Sequence, residues 1–179
     1  SDWVNARREL EVWPYSRVLL EPALHKTTIA NEYGQQGKVG INFASQDYLG
    51  LANRQELKDA AYAAIDQLGV HSAGSPALCG RTSILLDLEA TIAKQLGFES
   101  CLIYPTGWAA GFGVVTGLVR EADTVLIDAL CHNCIQEGAK HATNNLRKFH
   151  HNNLNHLEQL LQESRASNTE GAIFVVTES

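Results

Sequence analysis

Thr106-Gly107-Trp108 and His132 are the residues of this chain whose types and spacing point most directly to chemistry. The apolar run Cys101-Leu102-Ile103-Tyr104 reads as a buried strand. Pro105-Thr106-Gly107 breaks it, and the small residues from Trp108 to Leu118 open a helix. Free backbone N–H groups at a helix N-terminus beside a glycine suit a phosphate. A second strand, Thr124 to Ile127, ends in Asp128 and brings His132 to the same edge of the sheet. A phosphate cradle and an imidazole near strand C-termini suggest a phosphorylated cofactor whose ring must be stacked. Plainer readings stand beside this one. His132 alone could be a capping or core histidine, Trp108 a core aromatic, and Gly107 a residue that only permits positive φ.

Cys131 and Cys134 form a CxxC, which suits a redox pair or half of a zinc site. A zinc site usually has a second matching pair, and Cys79 and Cys101 do not make one. Ordinary reduced cysteines are the competing reading. His141, His150, His151 and His156 lack carboxylate or cysteine partners at ligand spacing. They are read as surface or helix-end residues, and no metal is expected.

These residues need elements to position them. A helix is expected from Asp2 to about Leu20, interrupted near Pro14. A short strand, Val39 to Ala44, follows the turn-like Tyr33-Gly34-Gln35-Gln36-Gly37. Arg54 to Leu68 is amphipathic, with Leu57, Ala61, Ala64, Ile65 and Leu68 on one face. Val70 to Arg81 is a loop, and Ser83 to Leu96 a helix capped by Gly97. Strict alternation follows: strand 101–104, helix 107–119, strand 124–127, helix 133–142, strand 146–149, helix 153–164 and strand 172–177. Strands alternating with helices of this length give α/β units, with helices on both faces of a mostly parallel sheet. Such a sheet binds ligands at its strand C-termini, and the last strand stops where another site segment should begin. Residues 1–45 are expected to form an N-terminal helix and short strand, and 46–179 the first part of a larger domain.

The 179 residues suffice for a hydrophobic core. A net charge of −6 argues against a nucleic-acid surface. No apolar run approaches a bilayer span and no signal peptide is visible, so a cytoplasmic location is expected.

At this point six strings resemble one family, the α-oxoamine synthases, which are fold-type-I enzymes dependent on pyridoxal 5'-phosphate (PLP). Ile41-Asn42-Phe43-Ala44-Ser45-Gln46-Asp47-Tyr48-Leu49-Gly50-Leu51 resembles "NFxSNDYLGL", and Gly69 to Ser75 resembles "GxGSGGS". Thr106-Gly107-Trp108-Ala109-Ala110 sits on "SGYxAN", and Asp128 to His132 on "DxxxH". Phe149 to Asn152 resembles "FxHND", and Val175 to Glu178 resembles "VVTEG". Each string is weak alone; six in order at family spacing are strong.

The resemblance implies the fold-type-I large domain and PLP-dependent decarboxylative condensation of an amino acid with an acyl thioester, on CoA or a carrier protein, to an α-amino ketone. It implies that Thr106, Gly107, Trp108, His132 and Glu178 hold the cofactor, with His132 stacked on its ring as the catalytic residue. It also implies substrate contacts from Arg17, Gln46 and Ser75, although Arg17 read alone could be a surface arginine. A homodimer is implied, with the N-terminal helix and the 70–81 loop at its interface. The Schiff-base lysine and the pyridine-nitrogen aspartate belong to the second half of such proteins and are not in this sequence. Gln46 stands where the family usually has Asn, Pro76 where many members have Arg, Leu85 where many have His, and Asn153 where the family has Asp. Another fold-type-I enzyme, an aminotransferase or lyase, shares the sheet and cradle. A non-catalytic partner subunit is the third reading, though some such subunits lack the stacking histidine that this chain keeps.

Overall fold

The computed structural model describes residues 2–10, 12–13, 15–167 and 170–178. It divides into two units, residues 1–88 and 89–179.

In the first unit the N-terminal helix is much shorter than expected. Helix α1 spans Asp2–Glu9, and from Val18 the chain is extended. Strands β1 (Val18–Leu19), β2 (Lys26–Ala30) and β3 (Lys38–Ile41) form an antiparallel sheet in that order. The reason is local: Thr27, Thr28 and Ile29 are β-branched and favour the pleated backbone, and Thr28 pairs with Val39. Asn31 shapes the connection, its side-chain oxygen accepting from the N–H groups of Tyr33 (3.0 Å) and Gln35 (2.9 Å). The expected break at Pro14 lies outside the described residues. Strand β3 also stops earlier than the expected Ala44. The Asn42 side chain accepts from the N–H groups of Ala44 (3.0 Å) and Ser45 (3.2 Å) and turns the backbone out of the ladder.

Helix α2 (Gln55–Leu68) forms as expected, with Arg54 as its N-cap. Its apolar face remains largely uncovered: Leu57 is 49% and Ile65 43% exposed. Helix α3 (Ser83–Leu96) ends at Gly97, whose φ of 73° only glycine adopts without cost. Phe98 N–H reaches back to the Ala93 carbonyl at 2.9 Å, which closes the helix.

The second unit alternates: α4 (Gly107–Leu118), β4 (Thr124–Asp128), α5 (Asn133–Ala142), β5 (Leu146–Phe149), α6 (Leu154–Ser167) and β6 (Ile173–Val176). The sheet is parallel, in the order β5-β4-β6. All five residues of β4 are buried. Val125 and Ile127 pack against Val115, Val119 and Ala139 from α4 and α5. Leu126 points the other way, onto Phe149 and Leu160 of β5 and α6. Helices therefore cover both faces, as the alternation implies.

One expected strand does not form. Residues 101–104 pair with no strand among the described residues, and Leu102 is 70% exposed. Apolar, β-prone residues supply a propensity, but a strand exists only through the ladder its partner completes.

Polar groups at the start of β4 are satisfied locally. The Asp123 carboxylate accepts from the N–H groups of Arg120 and Ala172, both at 2.8 Å. The Thr143 hydroxyl donates to the carbonyls of Glu121 (2.9 Å) and Asp123 (2.8 Å).

Helices α4 and α5 approach closely at Gly138. A Cβ there would lie 3.1 Å from the Phe112 carbonyl oxygen and 3.2 Å from its Cα, backbone atoms that cannot swing aside. Overpacking of this kind costs about 1–3 kcal/mol, against up to about 1 kcal/mol gained in helix propensity. Gly138→Ala is therefore expected to lower stability by about 1–2 kcal/mol, read from urea midpoints; an unchanged or raised midpoint would show that the helices can separate without cost.

Candidate functional site

Two helix N-termini meet at the C-terminal edge of the parallel sheet. The first belongs to α4. Thr106 is extended (φ −148°, ψ 157°), and its hydroxyl oxygen accepts the Ala109 N–H at 3.0 Å. With that donor used, the N–H groups of Gly107 and Trp108 have no acceptor among the described residues. A Cβ on Gly107 would meet nothing within 4 Å, so the space before these donors is open. Gly107 is not in the positive-φ region, so conformational freedom does not explain it. Unpaired donors at a helix start carry partial positive charge and suit an anion.

The second N-terminus is that of α5, and His132 is its N-cap. His132 Nδ1 accepts the backbone N–H of Cys134 at 3.2 Å, and the Cys134 Sγ lies 2.9 Å from the same nitrogen. With Nδ1 accepting, the hydrogen of the neutral ring sits on Nε2. The His132 backbone N–H donates to the Glu178 carboxylate, just beyond β6. The Trp108 and His132 rings stand edge to face, 6.0 Å apart and inclined at 75°. Thr106, Gly107, Trp108, His132 and Glu178, dispersed in the sequence, thus come together.

Cys131 and Cys134 are buried free thiols. Burial pushes the Cys131 thiol up, and the carboxylates of Glu178 and Asp128 push the same way. A redox pair needs an accessible thiolate; Cys131 is instead a packed, protonated thiol.

Asp128, the last residue of β4, was read in the sequence only as a strand end and the first residue of a motif string, with no role of its own. Its buried carboxylate accepts from Leu130 N–H (2.8 Å), His151 Nδ1 (3.0 and 3.1 Å to its two oxygens) and Asn152 N–H (3.4 Å). The Leu130 bond holds the carboxyl below the usual carboxylate range. Burial works against this, and His151 and Asn152 support it. His151, expected to be a surface residue, is half-exposed and tied to this buried acid. Asp128 lies opposite Phe149 in the register of β4 and β5. Residues just past the ends of two paired parallel strands must be neighbours, and that signal was present in the sequence. The His150 and His156 rings lie 4.5 Å apart, tilted by 36°, and His141 lies 5.8 Å from the Phe112 ring. Among the described residues no three His, Cys, Asp or Glu side chains gather as a metal site.

Arg17, Gln46 and Ser75 lie in the first unit. Arg17 donates from Nε to the Trp13 carbonyl at 3.1 Å. It lines a cleft of about 700 Å³ with Trp13, Tyr15, Tyr33 and Lys38. Gln46 is exposed, and its carbonyl accepts the Tyr48 N–H at 2.9 Å. The Ser75 carbonyl accepts from Leu78 and Gly80, both at 2.9 Å, and so closes the turn after Gly74.

The family model described as aminotransferase class I and II matches residues 38–179. The chain belongs to this family. Among relatives of this aminotransferase-family chain, the 8-amino-7-oxononanoate synthase of Methylobacterium sp. (strain 4-46) is 41% identical over 132 residues, covering 74% of this chain and 35% of its own length. A putative 8-amino-7-oxononanoate synthase of Thermosynechococcus vestitus is also 41% identical, over 74% of this chain and 34% of its own. These relatives agree with the resemblance that the motif strings carry: over the matched residues the chain is similar to 8-amino-7-oxononanoate synthases. In fold it is similar to the serine palmitoyltransferase from S. paucimobilis with bound PLP-myriocin aldimine. The TM-score is 0.84 at 21% identity, over 98% of this chain and 44% of that one. The chain spans about a third of the length of the curated relatives it matches.

Acid should weaken the second unit through Asp128. Its folded pKa is depressed, so its contribution is complete above the unfolded value of about 3.9 and is lost as pH falls through the folded value. Asp128→Asn is expected to give a shallower fall in stability below about pH 4, measured as urea midpoints against pH; an identical acid slope would show that the carboxylate is not held as described.

Proposed function

We propose that this chain is the N-terminal part of a PLP-dependent α-oxoamine synthase. The whole enzyme would condense an amino acid with an acyl thioester, release carbon dioxide and form an α-amino ketone. One observation carries the reading: two unpartnered N–H groups at the start of α4 share a site with an imidazole tied at Nδ1 to its own helix. The donor set fits PLP. Gly107 and Trp108 present N–H groups to a phosphate, nothing occupies the space a Cβ of Gly107 would take, and the His132 ring is available for stacking.

When bound, PLP supplies an electron sink for the negative charge that develops at the amino-acid Cα. The chain's own residues bind and orient. Thr106 keeps the α4 N-terminus in shape through its bond to Ala109, and Glu178 fixes the His132 backbone. His132 limits ring tilt and offers its Nε2 hydrogen to a substrate oxygen. Arg17, Gln46 and Ser75 contact substrate in this reading.

Gln46 keeps the family amide but sets it one methylene further out, and Pro76 removes a cation that could meet an acyl carboxylate or a CoA phosphate. Both changes favour a donor uncharged at its acyl end, or one presented by a carrier protein. Residues 46–179 then form the first part of the cofactor domain, and the Schiff-base lysine and pyridine-nitrogen aspartate come from the second half of the enzyme. The assembly is a cytoplasmic homodimer with no nucleic-acid partner. Among the described residues no helix is long and apolar enough to cross a membrane.

The test uses the full-length protein, PLP, single amino acids and acyl-CoA or acyl-carrier protein. Carbon dioxide and an α-amino ketone are the expected products; amino-group transfer to a keto acid would instead support an aminotransferase. His132→Ala should weaken PLP binding, alter the cofactor's absorbance and cut turnover, and unchanged spectra and turnover would remove His132 from the site. A lost hydrogen bond to a charged group costs about 1.5–3 kcal/mol. Gln46→Ala should therefore raise the amino-acid KM about tenfold or more, and a wild-type KM for every amino acid tested would show that Gln46 does not touch the substrate carboxylate.

A further inference from the structure

We infer that Asp128 and His151 are a pair of positioning residues: their contact latches the loop that delivers His132, and so sets the plane of the imidazole. This rests on the reading above that His132 stacks on the cofactor, and it adds two residues to which that reading gave no role.

Asp128 ends β4, and only three residues separate it from His132. Those residues are wrapped around it. Ala129 N–H donates to the Phe149 carbonyl (3.0 Å), Leu130 N–H to the Asp128 carboxylate (2.8 Å) and Cys131 N–H to the Asp128 carbonyl (3.1 Å). The next N–H, that of His132, goes to Glu178. The path of the loop is therefore fixed donor by donor, with the Asp128 side chain at its centre.

The other side of that carboxylate faces the turn after β5. His151 is its one side-chain partner among the described residues and reaches both oxygens from Nδ1. Asn152 takes φ 54°, a left-handed conformation that Asn tolerates better than most residues, and aims its N–H at the same carboxylate. The Asp128 side chain is 4% exposed, so water is a poor substitute for a lost partner. Without His151 the carboxylate must turn toward solvent, and the Leu130 N–H and the loop behind it go with it. His151 touches no reacting atom in this account; it acts through Asp128 and the loop.

The experiment compares full-length wild type with His151→Ala, His151→Asn and His151→Gln. The Asn amide can place its N–H where Nδ1–H sits, whereas the longer Gln side chain places it where Nε2 sits. The first readout is hydrogen exchange of the cofactor-free protein over Leu130 to Cys134. His151→Ala and His151→Gln are expected to exchange these amides about tenfold faster or more, with β4 and α4 unchanged, and His151→Asn to restore protection. The second readout is the visible circular dichroism of bound PLP, expected to change in the Ala and Gln variants and to return in Asn. Wild-type protection in His151→Ala overturns the latch. So does equal behaviour of the Asn and Gln variants, which decides the matter if the Ala variant does not fold. A wild type that takes up no PLP would overturn the proposed cofactor, while the exchange comparison would still decide the latch.

Discussion

β4 is buried over its whole length and still ends on a carboxylate. Four apolar or hydroxyl-bearing residues pass through the core, and the fifth, Asp128, must be satisfied without leaving it. The chain does this with two backbone N–H groups and an imidazole, drawn from the loops after β4 and after β5. A buried charge tolerates few alternative arrangements, because each lost partner is paid for in full. The loop carrying His132 is thereby shaped by the core rather than by solvent, and α5 starts where that loop allows.

The helices of the second unit support the same edge. Gly138 lets α5 lie against α4, and at Gly111 a Cβ would fall 2.5 Å from the Cys134 Sγ. Small residues at this crossing bring the Cys134 thiol and backbone to the His132 ring. Packing of α4 on α5 and orientation of the imidazole are one geometric fact seen from two sides.

Much of this was legible in the sequence. Helix 133–142 and strand 146–149 match their expected bounds, because hydrophobic pattern and local caps decide them. His132 follows the C-terminal end of β4, as the pattern of parallel strands implied, whereas Thr106, Gly107 and Trp108 come to it through the packing of α4 on α5. Other features depend on partners distant in the chain. Residues 101–104 have a strand's composition but no ladder, and β1 is only two residues long, too short to leave a pattern. The turn that ends β3 was hidden because Asn42 was read as part of a motif rather than as a side chain that captures two N–H groups. His151 was given no role because partners were sought only at short ligand spacing, and its partner Asp128 lies 23 residues away in the chain; half of its side chain is in solvent.

The cap that His132 provides for α5 has a directional consequence. One ring nitrogen is occupied by the helix it begins, so the imidazole cannot pass a proton from one side of itself to the other. It faces outward as a donor only. Any group that meets this edge must bring a lone pair, as a carboxylate, carbonyl or phenolate oxygen does; an ammonium or hydroxyl hydrogen pointed at it would find nothing to accept it.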